Sequence, residues 1–212
     1  MKLSRALYNE DMTTNTAMEI LKDETSPETL VYEAVMSLES NRLSDHEKLV
    51  LPQAILEFAK KNRDSSKRRM QVIVSVAVRT YLRNCTFSEI EAVFDIIDYE
   101  YIKLSAMKEI CNRICKSASP EVSHVFKEKI SSIIKELLGQ HMFRNCNFNV
   151  LLSALTIMIV IDPDTAKPIL RKAMAFIYLR DQMKSILSTL IKRKQALRGD
   201  PSVLKSLLDS IS

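Results

Sequence analysis

The chain has 212 residues, 46% of them apolar, with Gly 2, Trp 0 and a formal net charge of +5. Average usage would put glycine at roughly 7%, so its scarcity argues against strand-rich folds with many tight turns. It also excludes the Gly-rich phosphate loops of Walker and dinucleotide-binding sites, whose backbone only glycine tolerates.

In chain order, residues 1–25 have low apolar density and read as a loose arm with at most one short helix. Residues 26–212 read as a single helical domain. Helix punctuation is regular from there on. Ser26-Pro27-Glu28 sets a capping side chain before a proline at the first helical position, and Ser119-Pro120-Glu121 and Asp200-Pro201 repeat the signal. Ser44-x-x-Glu47 and Thr86-x-x-Glu89 have the form of capping boxes. Apolar residues recur at helical spacing between these marks, as in Leu30, Ala34 and Leu38 or Val122, Phe126, Ile130, Ile133 and Leu137. The predicted helices are 27–39, 45–62, 65–83, 87–97, 99–116, 120–142, 147–161, 165–179, 181–197 and 201–210. A break near Arg180-Asp181 is the weakest boundary, since one helix could run through it. The uncharged stretch 145–161 is too short and too polar at its start to span a bilayer, and reads as a buried core helix. The first ten residues are too polar for a secretory signal, so the chain as given reads as intracellular.

An internal match accompanies these helices. Arg83-Asn84-Cys85-Thr86-Phe87 recurs as Arg144-Asn145-Cys146-Asn147-Phe148, with Val72, Ile73, Val76 and Ala77 aligned to Ile133, Ile134, Leu137 and Leu138. What recurs is mostly apolar spacing, the mark of a duplicated packing unit. Equivalent environments for Cys85 and Cys146, and core-facing Phe87 and Phe148, are the expected result. A second spacing, apolar-x3-Ala-x3-apolar, occurs at Leu30/Ala34/Leu38, Val50/Ala54/Phe58, Ile102/Ala106/Ile110, Val150/Ala154/Met158 and Ile169/Ala173/Ile177. A small residue between two large ones lets a neighbouring helix approach closely while both ends interlock.

The segment from Asp98 through Ile102-Lys103 and Ala106 to Ile110 resembles the second-helix signature of the HEAT repeat family. The resemblance implies an all-α stack of helical repeats, a HEAT-like or armadillo-like α-solenoid of about nine to ten helices. It also implies that Asp98 caps its helix and that Lys103 stands where an arginine often reaches neighbouring carboxylates. Such proteins mostly bind other macromolecules, which makes a non-enzymatic scaffold for a protein or peptide partner the expected function. Alternatives are a nucleic-acid-binding helical array and an inhibitor or immunity-type protein acting through its acidic head.

That head is visible in the charge distribution. Residues 1–59 hold 5 Lys/Arg against 11 Asp/Glu, and residues 60–212 hold 26 against 15. The split calls for an anionic partner, an internal electrostatic contact, or two solvated faces. The candidate binding residues are the basic clusters Lys60, Lys61, Arg63, Lys67, Arg68 and Arg69, then Arg171 and Lys172, then Lys192, Arg193 and Lys194. Lys/Arg surfaces attract phosphate backbones through counterion release, but no aromatic residue interleaves with these clusters to stack on bases. Cys111-x3-Cys115 places two thiols one helical turn apart, and with His141 and Cys146 would make up four zinc ligands. The spacing matches no zinc knuckle, so all four cysteines read as small core residues. Glu91, Asp95 and Asp98 share a helical face opposite Phe87, Ile90, Phe94 and Ile97, as a solvated face must. No catalytic, cofactor or metal residues are assigned.

Overall fold

A computed structural model describes residues 12–40, 47–97, 99–117, 120–139, 145–196 and 200–211. Among them are ten α-helices, one 3-10 helix and no strand. The chain divides into two compact units, residues 1–106 and 107–212.

In the first unit, α1 spans Thr14–Lys22, α2 Glu28–Ser40, α3 Glu47–Asn62 and α4 Arg68–Asn84. Thr13 opens α1 by accepting from Thr16 N at 3.2 Å, and Ala17 and Leu21 bury its inner face. Asp23 closes the turn into α2, taking Thr25 N at 2.9 Å and Ser26 Oγ at 3.0 Å. Bonds from the Thr25 side chain first, then its backbone, hold that carboxyl below the usual range. Eight residues of α4 are buried, among them Ile73, Ala77 and Tyr81. Tyr81 OH donates to Glu89 O at 2.7 Å, tying the next element to the end of α4.

That element is a 3-10 helix, Ser88–Asp95, where the sequence predicts an α-helix over 87–97. Ile90, Val93 and Ile96 are all 0% exposed. Their spacing of three matches the 3.0-residue turn of a 3-10 helix, whose side chains eclipse at i and i+3. Of the predicted capping box, Glu89 Oε2 reaches back to Thr86 N at 2.6 Å; Ser44 lies outside the described residues. The helix α5, Glu100–Lys116, runs across the division between the units. Ile102, Ala106 and Ile110 are each 0% exposed, as the repeated small-residue spacing predicts. The copy at Val50/Ala54/Phe58 behaves differently: Val50 is 48% exposed and the buried face of α3 runs one residue later, through Leu51, Ile55 and Ala59.

The second unit continues with α6 His124–Leu138, α7 Asn145–Ile161, α8 Pro163–Ala173, α9 Ile177–Ala196 and α10 Ser202–Ile211. Ser123 caps α6, accepting from Phe126 N at 3.1 Å, so Pro120 and Glu121 stay outside the helix predicted to begin at 120. Gly139 terminates it short of the predicted 142, bonding Lys135 O at 3.1 Å. The next helix is apolar on every side, as a helix at the centre of its unit should be, and Ala154 through Ile159 are all buried. Between 165 and 197 the sequence predicts a break at Arg180-Asp181, whereas the chain turns at 174–176. Arg180 Nη2 donates to Met174 O at 3.1 Å there, satisfying a carbonyl left open at the end of α8.

Asp162 opens α8 two residues ahead of the predicted start, accepting from Thr165 N at 3.1 Å with Pro163 in the first turn. The backbone bond from Thr165 is the main cause holding this carboxyl below its ordinary value, and Lys127 at 3.6 Å adds to it. A depressed folded-state pKa contributes stability above the unfolded value that is lost as pH falls through the folded one. Asp162→Ala is therefore expected to cost about 0.5–2 kcal/mol near neutral pH. The difference from wild type should shrink in urea titrations as pH falls below the ordinary carboxylate range.

Helix pairing follows one plan in both units. In the first, α1 packs on α2 and α3 on α4, while α1 also meets α3 and α2 meets α4. In the second, α7 packs on α8 and α9 on α10, while α7 meets α9 and α8 meets α10; α6 packs on α7 outside this plan. The internal sequence match falls elsewhere, setting α4, the 3-10 helix and α5 against α6, α7 and α8. Helix order is the same in the two segments, but the middle element is eight residues of 3-10 helix in one and a 17-residue α-helix in the other. Cys85 closes α4, whereas Cys146 falls in the first turn of α7 with its side chain outside the described set. Phe87 and Phe148 are both half-buried.

Candidate functional site

In the first unit the acidic head and the basic segment meet. Glu24 pairs with Lys61, Glu28 with Lys67 at 2.9 Å, and Asp95 with Lys60 at 3.0 Å. Arg63 Nη1 donates to Asp95 O at 3.3 Å, and its Nε lies 3.7 Å from Asp64. Four of the six candidate residues over 60–69 are thereby engaged by acidic or carbonyl oxygens. Arg68 and Arg69 are exposed and form no ion pair with a described residue.

A deeper pairing lies outside the basic clusters. Glu39, with only 11% of its side chain exposed, accepts from Arg79 Nε at 2.6 Å, Arg79 Nη2 at 2.9 Å and Arg83 Nη1 at 2.7 Å. This two-arginine clamp joins α2 to α4. The spacing of Arg79 and Arg83 puts them on one helical face, but nothing local names an acid 40 residues earlier as their partner.

The second unit treats its basic residues differently. Arg171 and Lys172 are exposed in the last turn of α8, where cations meet the negative end of the helix dipole. Lys192 is exposed near the end of α9. Arg193 and Lys194 line a cleft of about 260 Å³ whose walls are otherwise mainly apolar. Ile159 and Val160 of α7, Leu190 of α9, and Val203 and Leu204 of α10 form those walls, and Cys115 stands on the α5 side. A second hollow, about 310 Å³, adjoins it through the shared residues Pro163 and Val203 and includes Asp164 and Lys167. Val203 is 46% exposed at this junction. The 60–69 and 192–194 clusters belong to separate units.

The cysteines also separate. Cys85 is buried, its thiol 3.8 Å from Leu82 O. Cys111 and Cys115 are half-buried, one turn apart on α5. The neighbouring Cys115 thiol, and after it burial, push the Cys111 pKa up. The Cys111 thiol in turn holds Cys115 below the ordinary thiol value, against the effect of burial and with help from the Arg193 guanidinium. Among the described residues no group of three or more His, Cys, Asp or Glu is placed to hold a metal. His46 and His141 lie outside the described residues, while His124 is exposed at the start of α6, 3.6 Å from Glu128.

The structure establishes an all-helical protein, and among its described residues no helix is long and apolar enough to cross a membrane. No protein family, curated protein or solved structure matches the chain.

Proposed function

We propose that the chain is a non-enzymatic helical-repeat binding protein, HEAT-like or armadillo-like in its stacking. Its second unit takes a protein segment bearing apolar and acidic side chains. The pairing plan supports the stacking: in α1–α4 and again in α7–α10, each helix meets the other member of its pair and also its counterpart in the next pair, as in repeat arrays. An up-and-down four-helix bundle would instead bring its first and fourth helices together.

The observation that carries the binding function is the cleft, where Arg193 and Lys194 stand beside a wall of Ile159, Leu190, Val203 and Leu204. Apolar walls supply affinity, and the cations select an acidic partner by charge complementarity. Nucleic acid has less support, because Lys60, Lys61, Arg63 and Lys67 already face oxygen ligands of their own unit. An inhibitor acting through the acidic head has less as well, since Glu24, Glu28 and Glu39 are paired.

Fluorescence anisotropy with labelled peptides tests the assignment. A peptide alternating Leu or Phe with Glu should bind, and the same peptide with Lys for Glu should not. Arg193→Glu combined with Lys194→Glu should weaken binding at least tenfold, or about 1.4 kcal/mol. Preference for the basic peptide, or for a single-stranded oligonucleotide over both, would refute it.

A further inference from the structure

We propose that the second hollow, between α8 and α10, is a subsite for a side-chain carboxamide, Gln or Asn, of the bound protein segment. It rests on the peptide-binding reading of the adjoining cleft and adds a second specificity to it.

The hollow forms where two helix faces meet. Asp164 and Lys167, three residues apart, share a face of α8. Ser202, Val203, Ser206 and Leu207 share a face of α10, and α8 packs on α10. Leu207, 2% exposed, and Pro163 make part of the lining apolar. Pro163 and Val203 border the cleft as well, so a segment lying beside Arg193 and Lys194 can continue into this second space.

The polar groups of the hollow are not used inside the fold. Opposite charges three apart on a helix commonly pair. Asp164 and Lys167 nevertheless form no ion pair or side-chain hydrogen bond with each other or with another described residue. Ser206 forms none through its hydroxyl, and Ser202 Oγ, which donates to Asp200 at 2.7 Å, still has lone pairs to offer.

Charge decides which side chain fits. The cleft presents two cations, Arg193 and Lys194, and selects an acid. The second hollow presents one carboxylate and one ammonium, which cancel. An entering Glu is attracted by Lys167 and repelled by Asp164, and an entering Arg meets the reverse. A carboxamide meets no repulsion. Its NH2 donates to the Asp164 carboxylate while its carbonyl accepts from Lys167 Nζ, and both bonds are of the stronger, charge-assisted kind. Discrimination thus comes from repulsion of the charged side chains as much as from attraction of the neutral one.

Fluorescence anisotropy on the full chain tests the assignment with the Leu/Glu peptide extended by an alanine tail at either end. Gln, Glu or Arg replaces Ala at each tail position in turn. One position should bind several-fold tighter as Gln than as Ala, and tighter than as Glu or Arg. Asp164→Ala should move the preference there to Glu, and Lys167→Ala should move it to Arg. The readout is the ratio of affinities between tails within one variant, so any overall weakening caused by a substitution cancels. A wild-type preference for Glu or Arg, no position that favours Gln over Ala, or a preference that neither substitution alters would overturn the proposal. Binding of the all-Ala-tailed peptide without gain from any tail removes this inference alone, whereas failure of that peptide to bind removes the cleft reading and this one with it.

Discussion

Leu155→Ala is expected to lower the free energy of unfolding by about 2–5 kcal/mol. Leu155 is 0% exposed at the middle of α7, the helix that packs against α6, α8 and α9. Two costs add: the transfer energy of the deleted methyl groups, and the cavity left because surrounding helices relax only in part. Around Leu155 that relaxation is restricted, since its neighbours Ala154, Ile157 and Met158 are all buried as well. Leu155→Met keeps most of the volume and should cost less than about 1.5 kcal/mol. Urea midpoints of the two variants check the pair, and equal shifts would mean that α7 is not closely packed.

Arg79→Ala combined with Arg83→Ala is the second large effect, expected to cost about 3–5 kcal/mol. The pair supplies three charge-assisted bonds to Glu39, whose side chain is 11% exposed and poorly placed to regain water. Removing the cations leaves a desolvated carboxylate, the situation in which a broken ion pair costs most. Glu39→Ala should be milder, about 1.5–3 kcal/mol, because Arg79 and Arg83 are 35% and 43% exposed and can hydrate in place. The ordering of the two variants is the diagnostic: a larger loss for Glu39→Ala would mean that the arginines, not the acid, are the stranded partners.

Much of the fold is legible in the sequence because its signals are local. Helix α5, predicted at 99–116, is found at 100–116, and α3, predicted at 45–62, ends at Asn62. Apolar period and flanking caps are written within a few residues of where they act. Residues 88–95 show where that fails, for Phe87, Ile90, Phe94 and Ile97 fit an α-helix while Ile90, Val93 and Ile96 fit a 3-10 turn. All of these but the half-buried Phe87 are buried in the fold, so the choice is made by tertiary contacts, among them the bond from Tyr81 OH to Glu89 O. The start of α8 was readable in principle, since Asp162-Pro163 carries the signal recognised at Asp200-Pro201, but it sits at the end of an uninterrupted apolar run.

The candidate site is legible in part. Arg193 and Lys194 stand out as charges, yet the difference between them and Lys61 or Lys67 is tertiary. The latter meet Glu24 and Glu28 from far earlier in the chain, while the former border a cleft. Cys111 and Cys115 are visible as a spacing and read as core. That Cys115 opens onto a hollow depends on where α7, α9 and α10 come to rest, and no local pattern encodes it.

Methyl NMR of the full chain, titrated with the Leu/Glu peptide, tests the binding assignment most directly. The account predicts saturable shifts at Ile159, Leu190, Val203 and Leu204, abolished by Arg193→Glu with Lys194→Glu, while Ile73 and Val78 of the first unit stay fixed. Shifts confined to residues 1–106, or unaltered by the charge reversal, would contradict it.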